Sequence, residues 1–221
     1  MNPFQFKNIQ GNIIDLPPGK IICIGRNYVE HIQELKNEVP TEAVLFIKPT
    51  TTFQDISNVI HIPLNKGPVH HELELAILIS KPLTTANEQQ SIDAIAGYAL
   101  ALDLTLRELQ SELKNKGLPW ERAKSFDGSC PITSFIESPG NNSTHHIELK
   151  INGESRQQTN TDKMIYSIPK LISEISHWFS LQPGDVVLTG TPAGVAELHI
   201  KDNLQLILDN QHTWSSEIHA R

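Results

Sequence analysis

The sequence predicts an α+β, β-rich fold. Short apolar runs bounded by Gly, Pro or Asn recur along the chain, only three segments carry helical spacing, and 221 residues of ordinary globular composition suffice for one sizeable core. Apolar residues make up 38% and charged residues 19%, neither a disordered nor a collagen-like balance. The 18 Lys+Arg against 25 Asp+Glu leave a net charge of −7, which argues against nucleic acid and against a polybasic membrane anchor as partners. No apolar run approaches the roughly 20 residues that cross a bilayer.

The strands are read in chain order from Lys20–Gly25, Val44–Ile47, Val59–Ile62, Leu73–Ile79, Ala94–Asp103, Ile147–Ile151, Asp185–Thr189 and Leu204–Leu208. Asn152-Gly153 signals a type I′ hairpin, and Pro183-Gly184-Asp185 a turn into a buried strand. Helices are predicted over Asn27–Asn37, Arg107–Lys116 and Ser167–Trp178. Asn27 with Glu30 makes a capping box for the first, Gly117 and Pro119 stop the second, and Pro169 is tolerated in the first turn of the third. Ser138–His146 reads as a loop inside a single domain spanning residues 1–221. The N-terminus lacks the basic-then-apolar layout of a secretory signal. Cys23 and Cys130 are too few for a disulfide scaffold, so reduced thiols and a cytoplasmic protein are expected.

Acidic residues within apolar strands carry the first chemical signal. Glu72, Glu74, Ala76 and Leu78 share one face of a strand whose other face is Leu73, Leu75, Ile77 and Ile79. Both faces are apolar farther on, so burial of two carboxylates about 7 Å apart would demand a cation or a proton. The competing reading leaves them at an exposed strand end. Asp103 shares its face with Ala99 and Ala101, small neighbours that leave room for an ion or ligand; alternatively it caps the helix that follows. Three such acids point to an oxygen-ligand site for a hard divalent cation such as Mg²⁺. Lys124 could offset their charge or hold a substrate carboxylate, or be an ordinary solvated lysine.

His31 and Glu34, three residues apart on the first helix, could form a general base oriented by a carboxylate. With Glu38 they could equally be a polar stripe opposite Val29, Ile32 and Leu35. Arg26 precedes that helix as a candidate anion contact or a surface residue. Thr189-Gly190-Thr191-Pro192-Ala193-Gly194 lets backbone approach a ligand closely, unless it is a plain turn. Phosphate-loop, nucleophile-elbow, zincin and dithiol motifs are missing from the sequence.

The order of these segments is more specific than any one of them. Gly25-Arg26-Asn27-Tyr28 with His31, Glu72-x-Glu74, Gly97-Tyr98 with Asp103-x-Thr105-x-Arg107, Ala123-Lys124-Ser125-Phe126-Asp127 with Pro131, and Gln182-Pro183-Gly184-Asp185 running to Thr189-Gly190-Thr191-Pro192-x-Gly194-Val195 occur in sequence. The set resembles the fumarylacetoacetate hydrolase family over roughly Lys20–Val195, and within it the short single-domain branch of acylpyruvases and oxaloacetate decarboxylases. The resemblance implies a mixed β-sandwich roll with a few short helices around a Mg²⁺ or Mn²⁺ ion, usually in a homodimer. It assigns Glu72, Glu74 and Asp103 as metal ligands, Lys124 as a lysine beside the metal, His31 and Glu34 as the water-activating pair of a lid helix, and Arg26, Gln110 and Thr191 as substrate contacts. His71 receives no role beyond contact with residues that surround the ion. After Val195 the family's glycine-bearing turn gives way to Ala196–Asn203 without a glycine, so the resemblance does not set the last strand pairings.

The resemblance implies an enzyme acting on a small oxo-acid. The first reading is hydrolysis of a carbon–carbon bond in a 2,4-diketo acid through an enolate stabilised by the metal. The alternative keeps the metal site without attacking water: oxaloacetate decarboxylation or tautomerisation, or 2-hydroxymuconate-type isomerisation. A non-catalytic metal- or carboxylate-binding module is the third.

Overall fold

A computed structural model describes residues 4–34, 42–57, 59–140 and 143–221, the side chains of residues 31–33 excepted. The strands are β1 (Ile21–Ile24), β2 (Leu45–Lys48), β3 (Phe53–Asp55), β4 (Ile60–Ile62), β5 (Val69–His71), β6 (Leu73–Ile79), β7 (Ile95–Leu102), β8 (Thr105–Leu106), β9 (Cys130–Ile132), β10 (Ile136–Glu137), β11 (His146–Ile151), β12 (Glu154–Asn160), β13 (Val186–Leu188), β14 (Ala196–Glu197), β15 (Asn203–Leu208) and β16 (His212–Ala220). The helices are α1 (Val29–Glu34), α2 (Glu88–Asp93), α3 (Arg107–Asn115), α4 (Glu121–Lys124) and α5 (Ile168–Trp178). Few helices and many strands make the fold α+β and β-rich, as the punctuation of the sequence predicts.

Among the described residues the largest sheet runs β2-β1-β13-β6-β7-β9-β3, with β10 added beside β7. A second sheet runs β12-β11-β15-β16-β4, and a small third one β14-β5-β8. β6 sits centrally, and its two faces serve two cores. Leu73, Leu75, Ile77 and Ile79 join the larger core with Ile147, Leu149, Leu204 and Leu206 of the second sheet. Ala76 and Leu78 join Ala99, Ala101, Phe6 and Phe135 in a smaller one. Cys23 and Cys130 lie buried there as free thiols.

The capping box expected at Asn27 does not form. The helix starts at Val29, and the Asn27 amide is spent on long-range bonds, donating to Thr189 O (2.8 Å) and Tyr166 O (3.1 Å) and accepting from Tyr166 N (2.8 Å). The part of the predicted helix beyond Glu34 lies outside the described residues. Two α-helices escaped the sequence because each is short and polar: α2, where Asn87 and Gln90 do form a capping box, and the single-turn α4. β12 and β16 carry little apolar alternation and exist through their ladders to β11, β15 and β4. Asn152-Gly153 takes the positive φ of a type I′ turn, at 54° and 84°. Beyond Val195, Lys201 takes a positive φ of 74° without being glycine, and Asp202 accepts from His199 N at 2.7 Å. That turn leads into β15, while β14 pairs with β5.

Leu75, fully buried between the sheets, tests this packing. Leu75→Ala should cost about 2–5 kcal/mol, read as a lower urea midpoint at unchanged m-value.

Candidate metal centre and active site

Alternation along β6 turns Glu72 and Glu74 to the face of Ala76, and alternation along β7 carries Asp103 to the face of Ala99 and Ala101. The antiparallel register pairs Leu73 with Leu102, and Asp103 N donates to Glu72 O at 2.8 Å. Three carboxylates from two strands therefore meet. One oxygen of each lies within 4.8 Å of the others, and all three residues are buried. The exposed-strand-end reading is thereby excluded. The capping reading of Asp103 fails as well, because its oxygens face lysines.

Lys124 Nζ donates to Glu72 Oε2 (2.7 Å) and Asp103 Oδ2 (2.6 Å), leaving one ammonium proton for another acceptor. Burial opposes the charge on Lys124, but Asp103 and Glu72 outweigh it and raise the ammonium pKa. Glu74 has the opposite balance. Burial, with the charges of Asp103 and Glu72, pushes its carboxyl well above the ordinary range. Its Oε2 accepts from Gly190 N at 2.5 Å. Gly190 has φ +93°, and a Cβ there would stand 2.7 Å from Asn27 Cβ, so only glycine brings this amide to the carboxylate.

Two cations of the cluster carried no assigned role in the sequence. Lys48 is fully buried, with Nζ 2.8 Å from Asp103 Oδ1. It also donates to Lys124 O, Ser129 O (3.1 Å) and Ser129 Oγ (3.0 Å). Asp103 Oδ1 receives charge but no hydrogen bond and keeps a lone pair open inside the protein. The usable sequence signal was a lysine closing an apolar run, Val44–Ile47. Arg107, quoted within the motif but given no role, forms an ion pair with Glu72 Oε1 and donates to Gln110 Oε1 at 2.6 Å. Gln110 is buried against it.

Arg26 is half-buried before α1. Burial, then the charges of Arg26 and Arg107, push the Lys114 ammonium pKa down, so three cations crowd the same side. Thr191 is buried and accepts from Gln157 Nε2 at 2.8 Å. Glu34, exposed on α1, accepts from Gly194 N at 3.0 Å and so ties the helix to the Thr189–Gly194 loop. His31 belongs to α1, but its side chain lies outside the described residues, so its pairing with Glu34 is not described.

The donor set fits a hard divalent cation. All three groups offer oxygen, they sit in mutual reach, and one buried oxygen lacks a hydrogen bond. A family model described as fumarylacetoacetate hydrolase C-terminal matches residues 20–218. The chain belongs to this family. Its members of known name point to oxo-acid chemistry. Oxaloacetate tautomerase YcgM of Escherichia coli K12 is 48% identical over 209 residues, covering 93% of this chain and 95% of the relative. A crystal structure of a protein from Yersinia pestis CO92, described under the same family name, matches with TM-score 0.95 at 49% identity, over 98% of this chain and all of that one. Fumarylpyruvate hydrolase from Pseudomonas aeruginosa, in complex with Mn²⁺ and pyruvate, matches with TM-score 0.93 at 30% identity, over 100% of this chain and 97% of that one.

Two outcomes test the centre. Asp103→Asn should lose measurable Mn²⁺ binding in calorimetry while retaining the fold. Lys48→Met, which leaves Asp103 short of a buried counter-charge, should lower the unfolding free energy of the metal-free protein by about 3–5 kcal/mol.

Proposed function

We propose that this protein is a divalent-metal-dependent oxaloacetate tautomerase, holding a 2-oxo dicarboxylate at Glu72, Glu74 and Asp103 with Mg²⁺ or Mn²⁺. The observation that carries the reading is the charge arrangement. Lys48, Lys124 and Arg107 equal Glu72, Glu74 and Asp103 in number, although they pair only with Glu72 and Asp103, so the two charges of a bound dication would stay uncompensated. Arg26 and Lys114 add further positive charge beside them, in a chain whose net charge is −7. Such a pocket complements a dianion better than the monoanion of an acylpyruvate. The 48% identity to an oxaloacetate tautomerase supports the same choice over carbon–carbon hydrolysis, the first reading of the sequence.

Tautomerisation moves one proton from C3 of the substrate to its 2-oxo oxygen. No bond to water forms and no carbon–carbon bond breaks. A bound dication would polarise the 2-oxo group and offset the charge that develops as the proton leaves. Lys124 points its uncommitted proton toward that oxygen and shares the charge. Arg26 and Gln110 hold the distal carboxylate, and Thr191 donates to the proximal one. His31 takes the C3 proton and returns it to oxygen. Glu34 closes α1 over the Thr189–Gly194 loop through Gly194 N and keeps bulk water out.

The test follows the ultraviolet absorbance of enol-oxaloacetate with Mg²⁺-loaded protein, with acetylpyruvate as the competing substrate. Oxaloacetate should interconvert rapidly and acetylpyruvate should persist; pyruvate released from acetylpyruvate at a comparable rate would return the protein to the hydrolase reading. His31→Ala should bind Mn²⁺ normally and lose about 10²–10⁴-fold in tautomerisation rate.

A further inference from the structure

β12 is an edge strand of the second sheet, and six of its seven residues are exposed or only partly buried. Gln157 breaks that pattern, since only 1% of it is exposed. An uncharged polar side chain is costly to bury unless every hydrogen-bonding group is matched. Gln157 is matched at both ends. Its Oε1 accepts from Leu73 N (2.9 Å) and lies 2.9 Å from His71 Nδ1. Its Nε2 donates to Pro192 O (2.9 Å) and to Thr191 Oγ1 (2.8 Å).

Two backbone groups fix which way this amide faces. Leu73 N–H can only donate, so the atom opposite it is the oxygen; Pro192 C=O can only accept, so the atom opposite it is the nitrogen. Everything attached then has a defined polarity. His71 carries its proton on Nδ1, which agrees with a buried Nε2 that has no partner. Thr191 Oγ1 serves as acceptor toward Gln157, and its own proton is committed to no acceptor among the described residues. Leu73 stands between Glu72 and Glu74, and Thr191 follows Gly190, whose amide holds Glu74. One side chain from the second sheet therefore spans the metal-ligand strand and the substrate loop. β12 is pressed hard against that loop, for a Cβ on Gly194 would stand 2.0 Å from Arg156 O.

We infer that Gln157 is a positioning residue that orients the Thr191 hydroxyl so that its proton is donated to the substrate carboxylate. The inference rests on the reading above that Thr191 contacts the oxo-acid. Gln157 touches no substrate itself. By donating to one lone pair of Thr191 Oγ1, it turns the hydroxyl proton away from itself and toward the substrate side, the polarity that favours a carboxylate. Its bond to Leu73 N ties the strand that carries Glu72 and Glu74 to the Thr191 loop.

Oxalate binding to the Mg²⁺-loaded protein, measured by calorimetry, reads this polarity without turnover. Thr191→Val should weaken oxalate binding about tenfold, the worth of one hydrogen bond to a charged group. Gln157→Glu replaces the donor by an acceptor that recaptures the threonine proton, and should weaken oxalate and raise KM for oxaloacetate by a similar factor, with kcat less affected. Gln157→Met should act in the same direction more weakly while leaving Mn²⁺ affinity unchanged. In a Thr191→Val background neither Gln157 substitution should add a further loss. Three results overturn the inference: full additivity with Thr191→Val, normal oxalate binding in Gln157→Glu, or an effect of Glu with none of Met, which would mark a simple charge effect. Should the wild-type protein bind oxalate with this non-additivity yet fail to interconvert oxaloacetate, the tautomerase reading falls and the role of Gln157 stands.

Discussion

Three buried carboxylates facing one another set the terms for the rest of this protein. Unpaired, each would lose far more in hydration than the surrounding apolar packing returns. Lys124 and Lys48 lie within ion-pair distance of Asp103, and Lys124 and Arg107 within that distance of Glu72. Glu74 instead has a backbone amide and a raised pKa. Each of those partners imposes a structural demand: a lysine closing β2, a helical turn at α4, an arginine opening α3, and a glycine in the loop after β13. The positions of these elements follow from a charge problem at the end of β6 and β7.

The same arrangement separates the buried carboxylates from the exposed helix near them. Glu72, Glu74 and Asp103 sit where β6 and β7 meet in the largest sheet, whose two faces pack into two cores. α1 meets the Thr189–Gly194 loop through the exposed contact of Glu34 with Gly194 N. The loop is anchored on its other side by Gln157 and by the Thr189 bonds to Leu75 O.

Legibility differed by residue. Glu72, Glu74 and Asp103 could be placed on one face each from period-two alternation alone, and the small Ala99 and Ala101 beside them marked the space. Lys124 was found through the family motif, since a lone lysine carries no local signal. Lys48 went without a role because a lysine ending a strand usually reaches for solvent. Gln157 was missed altogether: Glu154–Asn160 is polar throughout, and only the approach of Gly194 and Leu73 buries one of its residues. Asn27 looked like a helix cap because it precedes a helix, whereas its amide is used by Tyr166 and Thr189, distant in the chain.

The chain by itself determined the β-rich class, the two-faced β6 and β7, the three acids, and the hairpin at Asn152-Gly153, because alternation and turn chemistry are local properties. Tertiary structure alone decided the partners. Which cation meets which carboxylate, which oxygen of Asp103 keeps an open lone pair, and which way the Gln157 amide faces depend on residues tens to over a hundred positions apart. Register between strands and the backbone groups opposite each side chain settle those matters, and neither is written in any short stretch of sequence.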